Sequence, residues 1–191
     1  MEIAVVPLTP ERWPDFEALF GPNGACAGCW CTYFRMRPKE RQAGDAAARR
    51  AFIRERIAAG PPPGMLAYAG PEAVGWLQIG PRADVPEWNN RGRASAPLED
   101  GPAEDPSVWA ASCFFARAKV RGQGLSHRLL AGGIAFARAA GARLLEACPM
   151  DRAKQAKSVG LYVGSTAVFL RAGFREVARR KPGRPLMRLE L

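Results

Sequence analysis

Several things are scarce in this chain of 191 residues, and each scarcity excludes something. No apolar run approaches a membrane span. The longest, LLAGGIAFA (129–137), is far too short. The N-terminus MEIAVVPLTPERW has no basic stretch ahead of a long apolar one, so it does not read as a signal peptide. A cytoplasmic protein with no membrane partner is expected. The cysteines are Cys26, Cys29, Cys31, Cys113 and Cys148, an odd count without a secretion signal, which argues against a disulfide framework. CAGCWC (26–31) offers three soft ligands, but structural zinc takes four and no second cysteine pair follows, so no metal is expected. There is no internal repeat. Histidine occurs once, at His127.

Acids are scarce in one half only. Residues 111–191 hold 16 Lys/Arg and 4 Asp/Glu, whereas residues 1–110 hold 12 and 14. A basic half attracts nucleic acid, acidic membranes or a polyanionic small molecule, or simply forms a solvated surface. The near-neutral first half interrupts any continuous basic face, and no nucleic-acid-binding motif is recognisable. Nucleic acid is therefore the weakest of these readings.

The apolar pattern gives a strand at 3–8 and a helix at 9–20, started by Thr9-Pro10-Glu11. A polar helix follows at 44–60, with Phe52, Ile53 and Ile57 as its stripe. MLAYA (65–69) and VGWLQIG (74–80) form a hairpin. Residues 81–107 form a long polar loop with room for a short helix, and loops of that length tend to be functional or mobile. VWAASCFFA (108–116) is a buried central strand, 125–140 a helix, 142–150 a strand and 165–173 a last helix. Two strands close the chain, joined by KPGRP. The fold expected is one α/β (α+β) domain over 1–191. It has a single mixed, mostly antiparallel sheet, helices on both faces and a central parallel strand–helix–strand unit.

Between strand 108–116 and helix 125–140 lies RAKVRGQG (117–124). Such a loop presents free backbone N–H groups at the positive end of a helix, and glycine lets an anion approach them. Arg117, Lys119, Arg121 and Arg128 add charge, so a diphosphate seat is plausible on physics alone. The loop lacks the Lys-Ser/Thr ending of a P-loop and the three-glycine dinucleotide spacing, which argues against NTP and dinucleotides. His127 falls in the first helical turn, beside such a seat and away from an acyl group, and is not taken as a base.

With its flanks, CFFARAKVRGQGLSHRLLAGGIAFARAAGARLLEACP resembles the core of the GNAT-type N-acetyltransferase superfamily. That family's Arg/Gln-x-x-Gly-x-Gly/Ala pattern reads here Arg121-Gly122-Gln123-Gly124-Leu125-Ser126, with Ser126 in the last place. FLRAGFREV (169–177) is similar to the second signature, a helix ending in Gly-Phe before a strand. The resemblance implies an enzyme that moves an acetyl or other acyl group from acetyl-CoA directly to an amine. The alternatives are a non-catalytic CoA-binding module and, less favoured, a basic nucleic-acid-binding protein. It implies that the CoA diphosphate rests on residues 122–126, beside Arg121 and His127. The pantetheine arm would pair along Phe114, Phe115 and Ala116, where the two central strands splay. Residues 1–64 would form the acceptor side and 65–191 the cofactor-binding core. A small-molecule or peptide amine would be the acceptor, and a homodimer is compatible with the resemblance.

One departure matters. Many members carry a tyrosine five residues before the Phe of Gly-Phe, as a proton donor to the CoA sulfur. Here that residue is Phe169, which has no proton to give. Tyr162 is the candidate replacement. Glu146, an acid in an otherwise apolar strand, is the candidate base, with a buried structural pairing as its competing role. Trp30, Tyr33 and Phe34 are candidates to line an aromatic acceptor site.

Overall fold

A computed structural model describes residues 2–151 and 161–191. Among them are seven strands: β1 (Ala4–Pro7), β2 (Gly64–Ala69), β3 (Glu72–Pro81), β4 (Val108–Ala116), β5 (Leu144–Ala147), β6 (Arg175–Lys181) and β7 (Arg184–Glu190). They form one sheet in the order β1-β2-β3-β4-β5-β7-β6. Every neighbouring pair is antiparallel except β4–β5, which is parallel. The α-helices are α1 (Trp13–Phe20), α2 (Pro38–Ala43), α3 (Ala46–Ala59), α4 (Leu125–Ala139) and α5 (Thr166–Arg171). None of the described helices is long and apolar enough to cross a membrane.

Alternation along the strands divides the core in two. Met65, Ala67, Leu77 and Ile79 point to the face covered by α4 and α5. Leu66 and Trp76 point to the opposite face, covered by α1 and α3. Helix α4 buries Leu125, Leu129, Leu130, Ile134 and Ala137, a stripe at helical spacing. It lies close on the sheet because Gly132 and Gly133 sit at the contact. A Cβ at Gly132 would come within 2.6 Å of Val5 Cγ1, and one at Gly133 within 2.8 Å of Leu77 Cδ2. On the other face Trp13, Phe16, Leu19 and Phe20 of α1 are buried. The Phe16 ring stacks on Phe20 at 4.1 Å and meets Trp76 edge-on at 5.1 Å.

Three differences from the pattern reading have physical reasons. Helix α2, PKERQA, has no apolar stripe to reveal it; Pro38 in its first turn and the Glu40 carboxylate on the Arg37 N–H start it. Strand β5 is four residues long, because its pairing with β4 covers only Val108–Ala110 against Leu144–Glu146. The polar loop 81–107 is anchored to the protein body, with Val85, Trp88 and Ala94 packed against Phe34, Ala110, Cys148 and Leu186. Phe16→Ala is expected to cost about 3–5 kcal/mol of stability, because it empties the centre of the α1 face. Urea unfolding followed by tryptophan fluorescence measures this.

Candidate functional site

The site begins where β4 and β5 part. Beyond Ala110, β4 continues for six residues with no strand partner on its β5 side among the described residues. Backbone groups on that edge are left to an extended guest. The antiparallel register with β3 also slips between Gln78 and Ile79, so Ser112 is an extra residue in β4. At the strand's end the Arg121 guanidinium donates to the Ala116 carbonyl at 3.0 Å, and Arg117 N–H closes back on Val74.

The loop after β4 then turns into α4. Gly122 and Gly124 both have φ of +77°, a left-handed conformation that favours glycine, and none of the described residues lies within 4 Å of where their Cβ atoms would be. Among the described residues, no backbone carbonyl or side chain accepts from the N–H groups of 122–126. No acid lies in the first turn of α4, so its positive end is uncompensated. Arg121, Gly122, Gln123 and Gly124 are exposed, Leu125 is buried, and Ser126 and His127 are half-buried. Gln123 is held by its amide on the Lys119 carbonyl. The sequence-predicted residues 121–127 therefore come together with the end of β4. Of the β4 residues, Phe114 turns inward onto Phe169, and Phe115 faces the opposite side.

That opposite side holds a cavity of about 910 Å³. Its floor is Phe20, Trp76, Cys113 and Phe115, and across the gap stand Met150, Tyr162 and Val163. Tyr162 belongs to a short 3-10 turn, Leu161–Val163. Burial, and then the neighbouring Cys26, push its phenol up to about 12, so it stays protonated at neutral pH. Phe169 is fully buried between Phe114 and Phe174. Tyr33 and Phe34 line the cavity, but Trp30 is stacked in the core on Phe20 at 5.9 Å.

The CAGCWC stretch forms the cavity's near wall through Cys26, Cys29 and Cys31. Ala25, Ala27, Trp30 and Cys31 all have positive φ, a conformation that costs non-glycine residues on the order of 1–3 kcal/mol each. Two anchors impose it. Trp30 is locked in the aromatic core. Buried Cys31 accepts from Trp76 Nε1 at 3.0 Å and donates to Gln78 Oε1 at 2.8 Å. Among the described residues no three His, Cys, Asp or Glu side chains converge as a metal site.

Glu146 does not line the cavity. It is fully buried and pairs with Arg82 through one oxygen and with Arg188 through the other. Arg82 also donates to Asn89 Oδ1 and the Ser95 carbonyl and lies over the Trp88 ring. Arg188 reaches on to Asp100. With both oxygens engaged, this carboxylate has none to offer an amine in the cavity, and the structural pairing is the role its surroundings give it. The sequence reading missed other wall residues: Arg41, Arg49, Arg93, Lys181 and Arg184. Only the basic excess of the second half hinted at the last two. Glu146→Ala is expected to lose about 3–5 kcal/mol, because two arginines would be left buried without their shared carboxylate. A denaturant titration checks it.

No protein-family model and no curated protein matches the chain. Solved structures do. One is yncA from Salmonella typhimurium, solved with its cofactor acetyl-CoA. It has 16% identity and a TM-score of 0.55, over 99% of this chain and 94% of that one. Another is a ribosomal-protein-alanine N-acetyltransferase from Brucella melitensis, with 20% identity and a TM-score of 0.54 over 98% and 99%. A third is a GCN5-related N-acetyltransferase from Kribbella flavida, with 17% identity and a TM-score of 0.56 over 99% and 98%. The sheet order, the single parallel pair and the helices on both faces are thus those of a known architecture, and this chain has the GNAT-type N-acetyltransferase fold.

Proposed function

We propose that the protein is an acyl-CoA-dependent N-acyltransferase that moves an acetyl group from acetyl-CoA to an amine by direct transfer. The observation that carries this reading is the gap between β4 and β5. It leads from the unpaired N–H groups of 122–126 along an open strand edge to the cavity. These residues fit the cofactor. The left-handed glycines leave room at the helix start, and amide-bearing chains pair readily with an open strand edge.

Acetyl-CoA, when bound, supplies the thioester. The N–H groups of 122–126 hold its phosphates, with Arg121 and His127 beside them. Phe114, Phe115 and Ala116 carry the edge that aligns its arm. Tyr162 presents an O–H donor to the sulfur as negative charge develops there. Among the described residues, no Asp, Glu or His lines the cavity. Its cations instead disfavour an ammonium beside them, so a bound amine loses its proton to water more readily than in bulk solution.

A CoA-binding module without transferase activity is the second reading, and Phe169 in the tyrosine position favours it. Thiol release from acetyl-CoA across an amine panel separates the two. The proposal expects acetyl-CoA to raise the melting temperature, and the absence of any shift overturns it. Gly124→Glu places a carboxylate and a Cβ in the left-handed seat, and is expected to abolish that shift without unfolding the protein. Tyr162→Phe is expected to lower kcat about 100-fold while leaving the acetyl-CoA shift intact. Because the phenol titrates near 12, wild-type activity should show no loss from this group as pH rises from 7 to 10.

A further inference from the structure

The walls of the cavity carry one sign of charge. Arg41, Arg49, Arg93, Lys181 and Arg184 line it, and no acid does among the described residues. Among the described residues only Arg93 of these five has a carboxylate partner, Glu87. Asp151, near the same end through its N–H on the Gly183 carbonyl, is engaged by Arg179. Arg49 is spent on the carbonyls of Gly28, Arg41 and Gly44, and Arg184 on those of Cys148 and Pro149. Those bonds fix the guanidinium groups in place without neutralising them. The rest of the lining is mostly apolar, with Phe20, Trp76 and Phe115 beside Cys113 as floor and Tyr33 at the wall under Arg41, 4.3 Å from its ring.

Cations around an apolar floor, only one of them paired with an acid among the described residues, leave a standing positive potential in a partly desolvated space. A plain amine enters as a cation and meets repulsion. A molecule that also carries an anionic group meets attraction, and its ring or chain covers the aromatic floor. We infer that the cavity takes a small amine that also bears a carboxylate or similar anion on an apolar or aromatic body. This amino-acid-like class would be the acceptor. The inference rests on the transferase reading for the word acceptor, though not for binding. Charge does two jobs at once here. The fixed cations hold the anion and orient the molecule, and the same field disfavours the ammonium that must be neutral to attack a thioester.

The test is a binding measurement that needs no turnover. N-acetyl-L-phenylalanine and N-acetylphenethylamine share the ring, chain and amide and differ by the carboxylate. Calorimetry at low salt is expected to show the acid binding at least tenfold more tightly, with the difference shrinking as salt rises. Lys181 is exposed and its side chain donates no hydrogen bond among the described residues, while its backbone pairing with Arg184 does not depend on the side chain, so Lys181→Glu leaves the fold alone. It should weaken the acid several-fold and leave the neutral amide unchanged. Equal affinity of the two ligands, or no binding of the acid at millimolar concentration, overturns the inference. So does acid binding that Gly124→Glu abolishes and Lys181→Glu spares, because the anion would then sit at the start of α4. A parallel acetyl-CoA titration keeps the two readings apart. Acid binding without acetyl-CoA binding defeats the transferase proposal alone, and the reverse defeats this inference alone.

Discussion

The parallel pair β4–β5 ends at Ala110 opposite Glu146, and at that residue the Glu146 carboxylate is gripped by Arg82 and Arg188. The last paired position of the two diverging strands is thus also a buried ionic knot. Arg82 comes from just beyond the end of β3, Arg188 from β7, and Asp100 from the long loop. One knot therefore ties the first four strands, the last three and the loop together at the apex of the gap. A buried ion pair of this kind adds little net stability over an apolar replacement, but it tolerates few alternative arrangements of its partners. Its value here is positional. It lies where the strands stop pairing, at the apex of the gap.

The cavity wall is built by a different device. Four left-handed non-glycine residues in one short stretch are unfavourable in isolation, so something must over-determine them. Trp30 in the aromatic stack and Cys31 between Trp76 and Gln78 do so. The aromatic core under α1 thus shapes the wall as well as filling space. The cysteine-rich stretch holds a backbone in place by packing and hydrogen bonds.

The sequence made the fold legible where periodicity is strong. The apolar run 108–116, the leucine stripe of α4 and the Gly-Phe turn after α5 stand in the structure close to where their patterns put them. The turn into α4 was legible from its glycines, and Gly122 and Gly124 do take the left-handed conformation that such a turn uses. Distance in the chain hid the rest. Nothing local to Glu146 reveals that Arg82, 64 residues earlier, and Arg188, 42 residues later, close on it. Helix α2 has no apolar stripe to find. The cavity cations come from four separate stretches of chain, and a composition count registers only their sum.

The three-residue length of the β4–β5 pairing has a mechanical consequence. The sheet is two leaves, β1 to β4 and β5-β7-β6, sharing one short seam. Each leaf is braced by its own antiparallel ladders, so the seam is the line along which the sheet bends most easily. A guest lying in the gap and bonding to the open strand edge would act as an eighth strand, splinting the two leaves. Occupancy should therefore be readable far from the ligand, as slower amide exchange along the inner edges of both leaves.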